Sequence, residues 1–423
     1  MKKLFAALLL LTLTTTLYGC SHSDNELSDT ETSNTETSII TSSIKDTTEK
    51  PYTHSENGYF NLVDSGYDLQ MDTQEGGTCW LYSASVSIES SYFLNNGTNI
   101  DINPLEMLDI IYSDDKSEGF FVKEGINKKE LGGWSWMITE TLSNGFGKYV
   151  IDKATVIEEG STEKLKETIK NTGAVIVSVP DTDRTKKGAF NNYMTINHVT
   201  DNIEDYDHDV TIIGWDDNFP KEYFKDEASQ NGAWIAYNSL LGDFGYYYIS
   251  YDTALKSPVA LSVTDKYSDI LFYDCGNEGD ASINVESNTK TANIFHKEGT
   301  LSAVGTYSTT ENQKIKIELY DSNFENILYS QDAVLTVKGY NVIELDKSVE
   351  VCDYAIAIQY SSTAPVEGET WDDGIVSYKV QSEKGQSYVY LNDMWQDITD
   401  EAVISELGID FIPNNCCIKA LYS

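Results

Sequence analysis

Apolar and polar positions divide the chain into stretches of different texture. Leu4 to Leu13 is mostly apolar and follows Lys2 and Lys3, whereas Ser21 to Lys50 is dominated by Ser, Thr, Asp, Glu and Asn. From Pro51 the pattern becomes that of a folded chain. Cys79–Phe93 and Thr162–Asn171 read as helices; Ala174–Val179, Val210–Ile213 and Tyr246–Tyr251 are apolar runs that read as strands. This mixture predicts an α+β domain over residues 51–256. After Ser257 the texture changes. Gln313–Tyr320 alternates polar and apolar residues, and Tyr340–Leu345, Tyr354–Tyr360 and Gln386–Leu391 are further β-rich runs separated by Asn, Asp, Gly and Ser. Short strands at regular spacing without a convincing helix predict an all-β sandwich over residues 257–423. About 400 residues exceed what one core ordinarily organises, so two domains are expected.

The first 50 residues are read as targeting and spacing. A basic start and an apolar stretch form a signal segment, residues 1–19. Leu17-Tyr18-Gly19-Cys20 resembles a bacterial lipoprotein signal, cleaved before a cysteine that is then lipidated; the competing reading is an ordinary secretory peptide with an incidental cysteine. Two acyl chains on Cys20 are enough for stable anchoring. Residues 20–50 have too few apolar side chains to offset the entropy of ordering, and are expected to be a disordered tether. The chain is thus expected outside the cytoplasm, lipid-anchored at a bacterial cell envelope. No inhibitory pro-segment is recognised ahead of the first domain, so no zymogen cleavage is expected.

Charge removes one class of partner. With 29 Lys+Arg against 68 Asp+Glu the formal net charge is -39, which argues against nucleic acid, because phosphate binding needs basic patches. Six cysteines are present, at positions 20, 79, 275, 352, 416 and 417. The last four leave room for one or two disulfides. None has zinc-ligand spacing, so neither a metal nor another cofactor is expected.

The candidate chemistry centres on Gln74-Glu75-Gly76-Gly77-Thr78-Cys79-Trp80. A cysteine where a glycine-bearing loop enters a helix suits a thiolate, since a helix N-terminus or a nearby imidazolium lowers a thiol pKa by several units. His208 opens the run Val210-Thr211-Ile212-Ile213-Gly214-Trp215, and Asn238 closes Ala233-Trp234-Ile235-Ala236-Tyr237. Both therefore sit at predicted strand ends, 129 residues after Cys79 and 30 residues after His208 respectively. Asp207 and Asp209 flank the histidine and would favour its charged form if close. His198 lacks a following apolar strand; His22 and His54 lie in or near the tether, and His296 lies in the β-rich part.

These three motifs together resemble the papain family of cysteine peptidases, in particular the bacterial branch with a C-terminal lectin-like domain. Phe60-Asn61-Leu62-Val63-Asp64-Ser65-Gly66-Tyr67 resembles the lead-in to the nucleophile in that branch. The resemblance implies a two-lobed papain-like domain with Cys79 as nucleophile, His208 as acid and base, Asn238 as orienting amide and Gln74 as oxyanion donor. Gly132 and Gly133 resemble the glycine pair along the substrate cleft; a turn is the alternative reading. Two departures stand out: Gln74 precedes Cys79 by five residues instead of six, and Leu240 follows Asn238-Ser239 where the family has Trp. The function implied is hydrolysis of protein or peptide substrates through an acyl-thioester. The alternatives are a weakly active scaffold serving as a glycan- or wall-binding adhesin, and a papain-like transferase or amidase acting on wall peptides. Tyr388, Tyr390 and Trp395 offer either core packing or platforms for a carbohydrate or cell-wall ligand.

Overall fold

The computed structural model describes residues 52–113, 118–180, 194–224, 226, 228–240, 247–276, 282–284, 289–407 and 414–423. The signal segment, Cys20 and the 20–50 stretch lie outside these residues. No described helix is long and apolar enough to cross a membrane.

The N-terminal part is built on helix α1 (Cys79–Asn96), whose residues from Cys79 to Tyr92 are all buried. It ends at Gly97, where a φ of 66° lets the backbone N–H return to the Phe93 carbonyl. Helices α2 (Pro104–Ile111) and α3 (Ser135–Leu142) pack on one side of it, and α4 (Thr162–Asn171) lies against the sheet on the other. The strands here are β1 (Tyr59–Asn61), β2 (Gly119–Val122), β3 (Val150–Val156), β4 (Val175–Val179), β5 (Met194–Ile196), β6 (His208–Asp216), β7 (Ala233–Tyr237), β8 (Tyr247–Ser250) and β9 (Lys256–Thr264). Pairing runs β3-β9-β4-β6-β7-β8-β5, with β1 added to β6.

A helix buried all round must place its polar residues against partners. Ser87 Oγ donates to the Ala174 carbonyl at 2.7 Å and accepts from Leu261 N at 3.0 Å, while Ser90 Oγ accepts from Ala174 N at 2.8 Å. These serines fasten α1 to the chain entering β4 and to β9. Trp80, Leu81, Ala84 and Ile88 face one core with α2, α3 and β9; Val86 faces a second with α4, β4, β6 and β7. This is the two-lobed arrangement the sequence implies.

The expected division at 257 falls on the second residue of β9, yet that strand pairs with β3 and β4. Its hydrogen bonds thus lie with the N-terminal sheet. Beyond it come β10 (Asp269–Leu271), β11 (Ser282–Asn284), β12 (Lys290–Ser308), β13 (Gln313–Asp321), β14 (Ile327–Leu335), β15 (Gly339–Tyr360), β16 (Thr363–Pro365), β17 (Trp371–Asp372), β18 (Val376–Lys379), β19 (Ser387–Leu391), β20 (Met394–Asp397), helix α5 (Glu401–Leu407) and β21 (Ile418–Tyr422). Two features differ from expectation. Helix α5 is present, with Val403 as its buried anchor. And β12 and β15 are long, 19 and 22 residues, paired antiparallel with register shifts at His296/Gly299 and Leu301/Ala303. Such bulges bend a strand, so each long strand serves two layers. Its first part, Lys290–Asn293, takes β19 as neighbour; Leu301–Thr306 takes β21. Phe295, Ile317, Ile356, Val389 and Ile418 fill the space between.

The two parts are joined along a seam. Tyr307, Tyr340, Val376, Tyr378 and Cys417 belong to the same core as Trp80, Met137 and Ile138. Strand β18 pairs with β2, and β15 touches β3 at Asn341 and Lys153. Gly339, with φ 106°, sits where an added Cβ would fall 2.3 Å from the Ala154 carbonyl. The fully buried Lys419 Nζ donates to Asp274 at 2.6 Å and reaches Asn144 Oδ1 at 2.7 Å.

No disulfide joins any of the five described cysteines, Cys79, Cys275, Cys352, Cys416 and Cys417, so the bridges allowed by composition are not formed among them. Cys416 and Cys417 are both buried, and burial pushes the Cys416 thiol up to about 12.

Candidate active site

Cys79 is the first residue of α1 and is 5% exposed. Thr78, the residue before it, does not cap the helix with its hydroxyl; Thr78 Oγ1 instead donates to the Glu75 carbonyl at 2.7 Å. No acidic side chain occupies the first turn. The positive end of the helix dipole is thus left to Cys79 itself. The loop that presents it is fixed by close packing. Gly76 has φ 64°, and a Cβ there would lie 2.3 Å from the Lys129 carbonyl; Gly77 N donates to the same carbonyl at 2.7 Å.

His208 is the first residue of β6, and Asn238 directly follows β7. The two strands are adjacent and antiparallel, so the start of one lies beside the end of the other. His208 Nε2 and Asn238 Oδ1 are 2.9 Å apart, and the pair is buried, at 1% and 2% exposure. Asn238 Oδ1 also accepts from Leu240 N at 3.0 Å, which holds the amide in one orientation. Leu240 adjoins this pair, which is already shielded from water.

Gln74 reaches the same place. Its backbone N–H donates to the Ser239 carbonyl at 3.0 Å, Ser239 Oγ donates to Gln74 Oε1 at 2.7 Å, and Gln74 Nε2 donates to the Gly76 carbonyl at 2.7 Å. The shortened spacing to Cys79 therefore leaves Gln74 bound to the residue after Asn238. Strand β6 is held to α1 by Thr211 Oγ1, which donates to the Ser83 carbonyl at 3.1 Å, one turn beyond Cys79. Loop, helix start and two strand ends thus converge.

Asp209 follows His208 on a strand and so points to the opposite face; it accepts from Ser178 Oγ at 2.6 Å, its cross-strand partner on β4. Sequence reading missed Ser239 and Leu240 N as partners of the two amides. The Asn-Ser pair was visible as a motif, but only the turn after β7 gives its second residue a task.

Gly133 is constrained by packing, whereas Gly132 takes part through its backbone. The Gly132 carbonyl accepts from Tyr112 Oη at 2.9 Å, and a Cβ on Gly133 would fall 2.5 Å from the Trp80 ring. Gly133 is thus required by the tryptophan that follows the nucleophile. Tyr388, Tyr390 and Trp395 lie on the hairpin of β19 and β20. Trp395 stacks on Phe324 at 4.3 Å, Phe324 meets Tyr388 edge-on at 5.3 Å, and Tyr390 meets Trp395 at 5.2 Å. These rings cover one another and the outer face of the sheet.

Residues 270–422 match the family model of a lectin-like domain. Comparison with curated protein sequences gives no match. Among solved structures, the cysteine protease and lectin-like domains of Cwp84, a surface layer associated protein of Clostridium difficile, are 20% identical and superpose with a TM-score of 0.69, covering 87% of this chain and 89% of that one. The clostridial cysteine protease Cwp84 after propeptide cleavage gives 19% identity and a TM-score of 0.68, over 86% of this chain and 98% of that one. The chain therefore carries a lectin-like domain at residues 270–422 and has the fold of a cysteine protease joined to such a domain.

Proposed function

We propose that this chain is a cysteine peptidase, with its peptidase domain running to the end of β9, exported and anchored at the cell envelope through a lipid on Cys20. The observation that carries the reading is the buried His208–Asn238 pair at 2.9 Å beside the helix that begins at Cys79. Cys79 attacks the scissile carbonyl as a thiolate, and His208 delivers its proton to the leaving amine. Asn238 fixes the ring through the other nitrogen. Gln74 Nε2 has one hydrogen committed to Gly76 and a second left for the oxyanion. Water then hydrolyses the acyl-thioester with His208 as base. Protein or peptide chains are the substrates. The match of fold to an enzyme whose description places it in a surface layer is consistent with an envelope location.

The test is intact-mass labelling of residues 52–423 with an epoxysuccinyl peptide at neutral pH. One adduct on Cys79 that disappears in both Cys79→Ala and His208→Ala is expected. No adduct on folded protein would sink the peptidase reading and favour the adhesin. For the anchor, Cys20→Ser should release the protein from cells into the medium; retention of the variant at the envelope would count against lipidation.

A further inference from the structure

Glu118, Cys275 and Glu367 come from three distant parts of the sequence and meet at the seam between the two domains. One ligand atom from each lies within 4.8 Å of the others. Glu118 directly precedes β2, Cys275 follows β10, and Glu367 follows β16. Glu367 is fully buried, whereas Glu118 and Cys275 are part-exposed and leave an approach from solvent. The buried carboxylate is aimed by two hydrogen bonds: Cys275 N donates to one oxygen at 2.7 Å and Asn415 Nδ2 to the other at 2.8 Å.

Two further observations favour a cation at this place. The Tyr378 hydroxyl is buried without a hydrogen-bond partner, and the acidic groups that act on it include Glu367 and Cys275. The Asp274 oxygen that does not meet Lys419 is likewise buried without a partner, and Asp274 acts on both Glu367 and Cys275. The seam thus holds the buried carboxylates Glu140, Asp274 and Glu367, while Lys419 is the one buried lysine among the described residues. Carboxylates removed from water without a counter-charge are strongly disfavoured. A divalent ion would supply that counter-charge, and a thiol that coordinates it gives up its proton.

We propose that Glu118, Cys275 and Glu367 bind a divalent transition-metal ion, with Zn2+ the best fit, and that the ion fastens the lectin-like domain to its neighbour. A thiolate among the donors selects against Ca2+ and Mg2+, which take oxygen ligands in larger number. Zinc at about 2.0–2.3 Å from each donor places donors roughly 3.3–3.8 Å apart, so the cluster closes by about 1 Å on binding. Binding displaces the thiol proton and any proton held on Glu367 to solvent, so affinity rises with pH.

The experiment uses the full chain carrying Cys79→Ala, so that the other candidate thiol ligand is gone. After chelator treatment the protein is titrated with Zn2+ by calorimetry and with Co2+ in the spectrometer. One equivalent of Zn2+ is expected, with a higher Tm and a thiolate-to-cobalt charge-transfer band. Cys275→Ser should abolish the band and weaken Zn2+ at least tenfold, Glu118→Gln at the rim should weaken it as well, and Cys352→Ser should change nothing. Glu118→Gln keeps the test decisive if Cys275→Ser fails to fold. No saturable Zn2+ or Co2+ binding, or binding unmoved by Cys275→Ser, overturns the proposal; so does preferential binding of Ca2+.

Discussion

At the scale of single residues, the site is a set of side chains each given one orientation by a neighbour. Asn238→Ala removes the acceptor for His208 and frees the turn at Leu240. The imidazole then loses its aim, and kcat against a peptide substrate should fall about a hundredfold, as misplacement on the ångström scale typically costs. KM should change little. Gly133→Ala tests a different kind of constraint. Its methyl would press on the Trp80 ring, and overpacking of this sort costs about 1–3 kcal/mol; thermal unfolding should show a lower Tm. An unchanged Tm with a raised KM would instead assign Gly133 to substrate contact. Cys79, His208 and Asn238 were legible in the sequence because each marks the boundary of an element with strong apolar texture. The Glu118–Cys275–Glu367 cluster was not. Its members are 157 and 92 residues apart, and no local spacing betrays ligands that only tertiary folding assembles.

At the scale of elements, α1 carries an unusual load. Glu89, at its midpoint, is 3% exposed and accepts from Tyr67 Oη at 3.0 Å and Ile102 N at 2.8 Å. Burial raises its carboxyl from 4.5 to about 7, with those hydrogen bonds opposing the shift. A carboxyl raised on folding holds its proton more tightly in the native state. Its favourable contribution is present at low pH and is lost as pH climbs from about 4.5 through 7, by up to about 3 kcal/mol. Denaturant unfolding at pH 5.5 and pH 8 should show this decline, and Glu89→Gln should flatten it while raising stability at pH 8. The helix itself was readable from Cys79 onward. Its serines were readable only as polar interruptions, since their use as clamps depends on Ala174 and Leu261 arriving from elsewhere. The long strands were harder still. Tyr340–Leu345 and Tyr354–Tyr360 read as separate runs because the polar bend between them, residues 346–353, looks like a turn, whereas it continues one strand around a corner.

At the scale of the whole molecule, the two domains share a core. Tyr340 and Tyr378 contribute fully buried rings to the cluster that holds Trp80 and Met137. Calorimetry should therefore show one cooperative transition, with calorimetric and van't Hoff enthalpies in agreement. Tyr378→Ala should lower that single Tm, since loss of a buried aromatic ring costs about 3–5 kcal/mol. Two separated transitions would mean that the seam is only a contact. Sequence texture distinguished the two parts, but the pairing of β18 with β2 joins segments more than 250 residues apart and leaves no trace in local periodicity.

Strand β1 has a mechanical consequence. It is the first strand among the described residues, and it lies antiparallel on β6, with Tyr59 opposite Asp216 and Asn61 opposite Gly214. A pull on the N-terminal segment therefore enters at the far end of β6, about 26 Å along the strand from His208. Tyr52 Oη bonded to Asp216 at 2.8 Å and Asn218 Nδ2 bonded to the Asn57 carbonyl at 2.8 Å meet that load first. Drag on a protein held by its leading end would be spent on these latches, and the imidazole at the other end of the strand would stay in register while they hold.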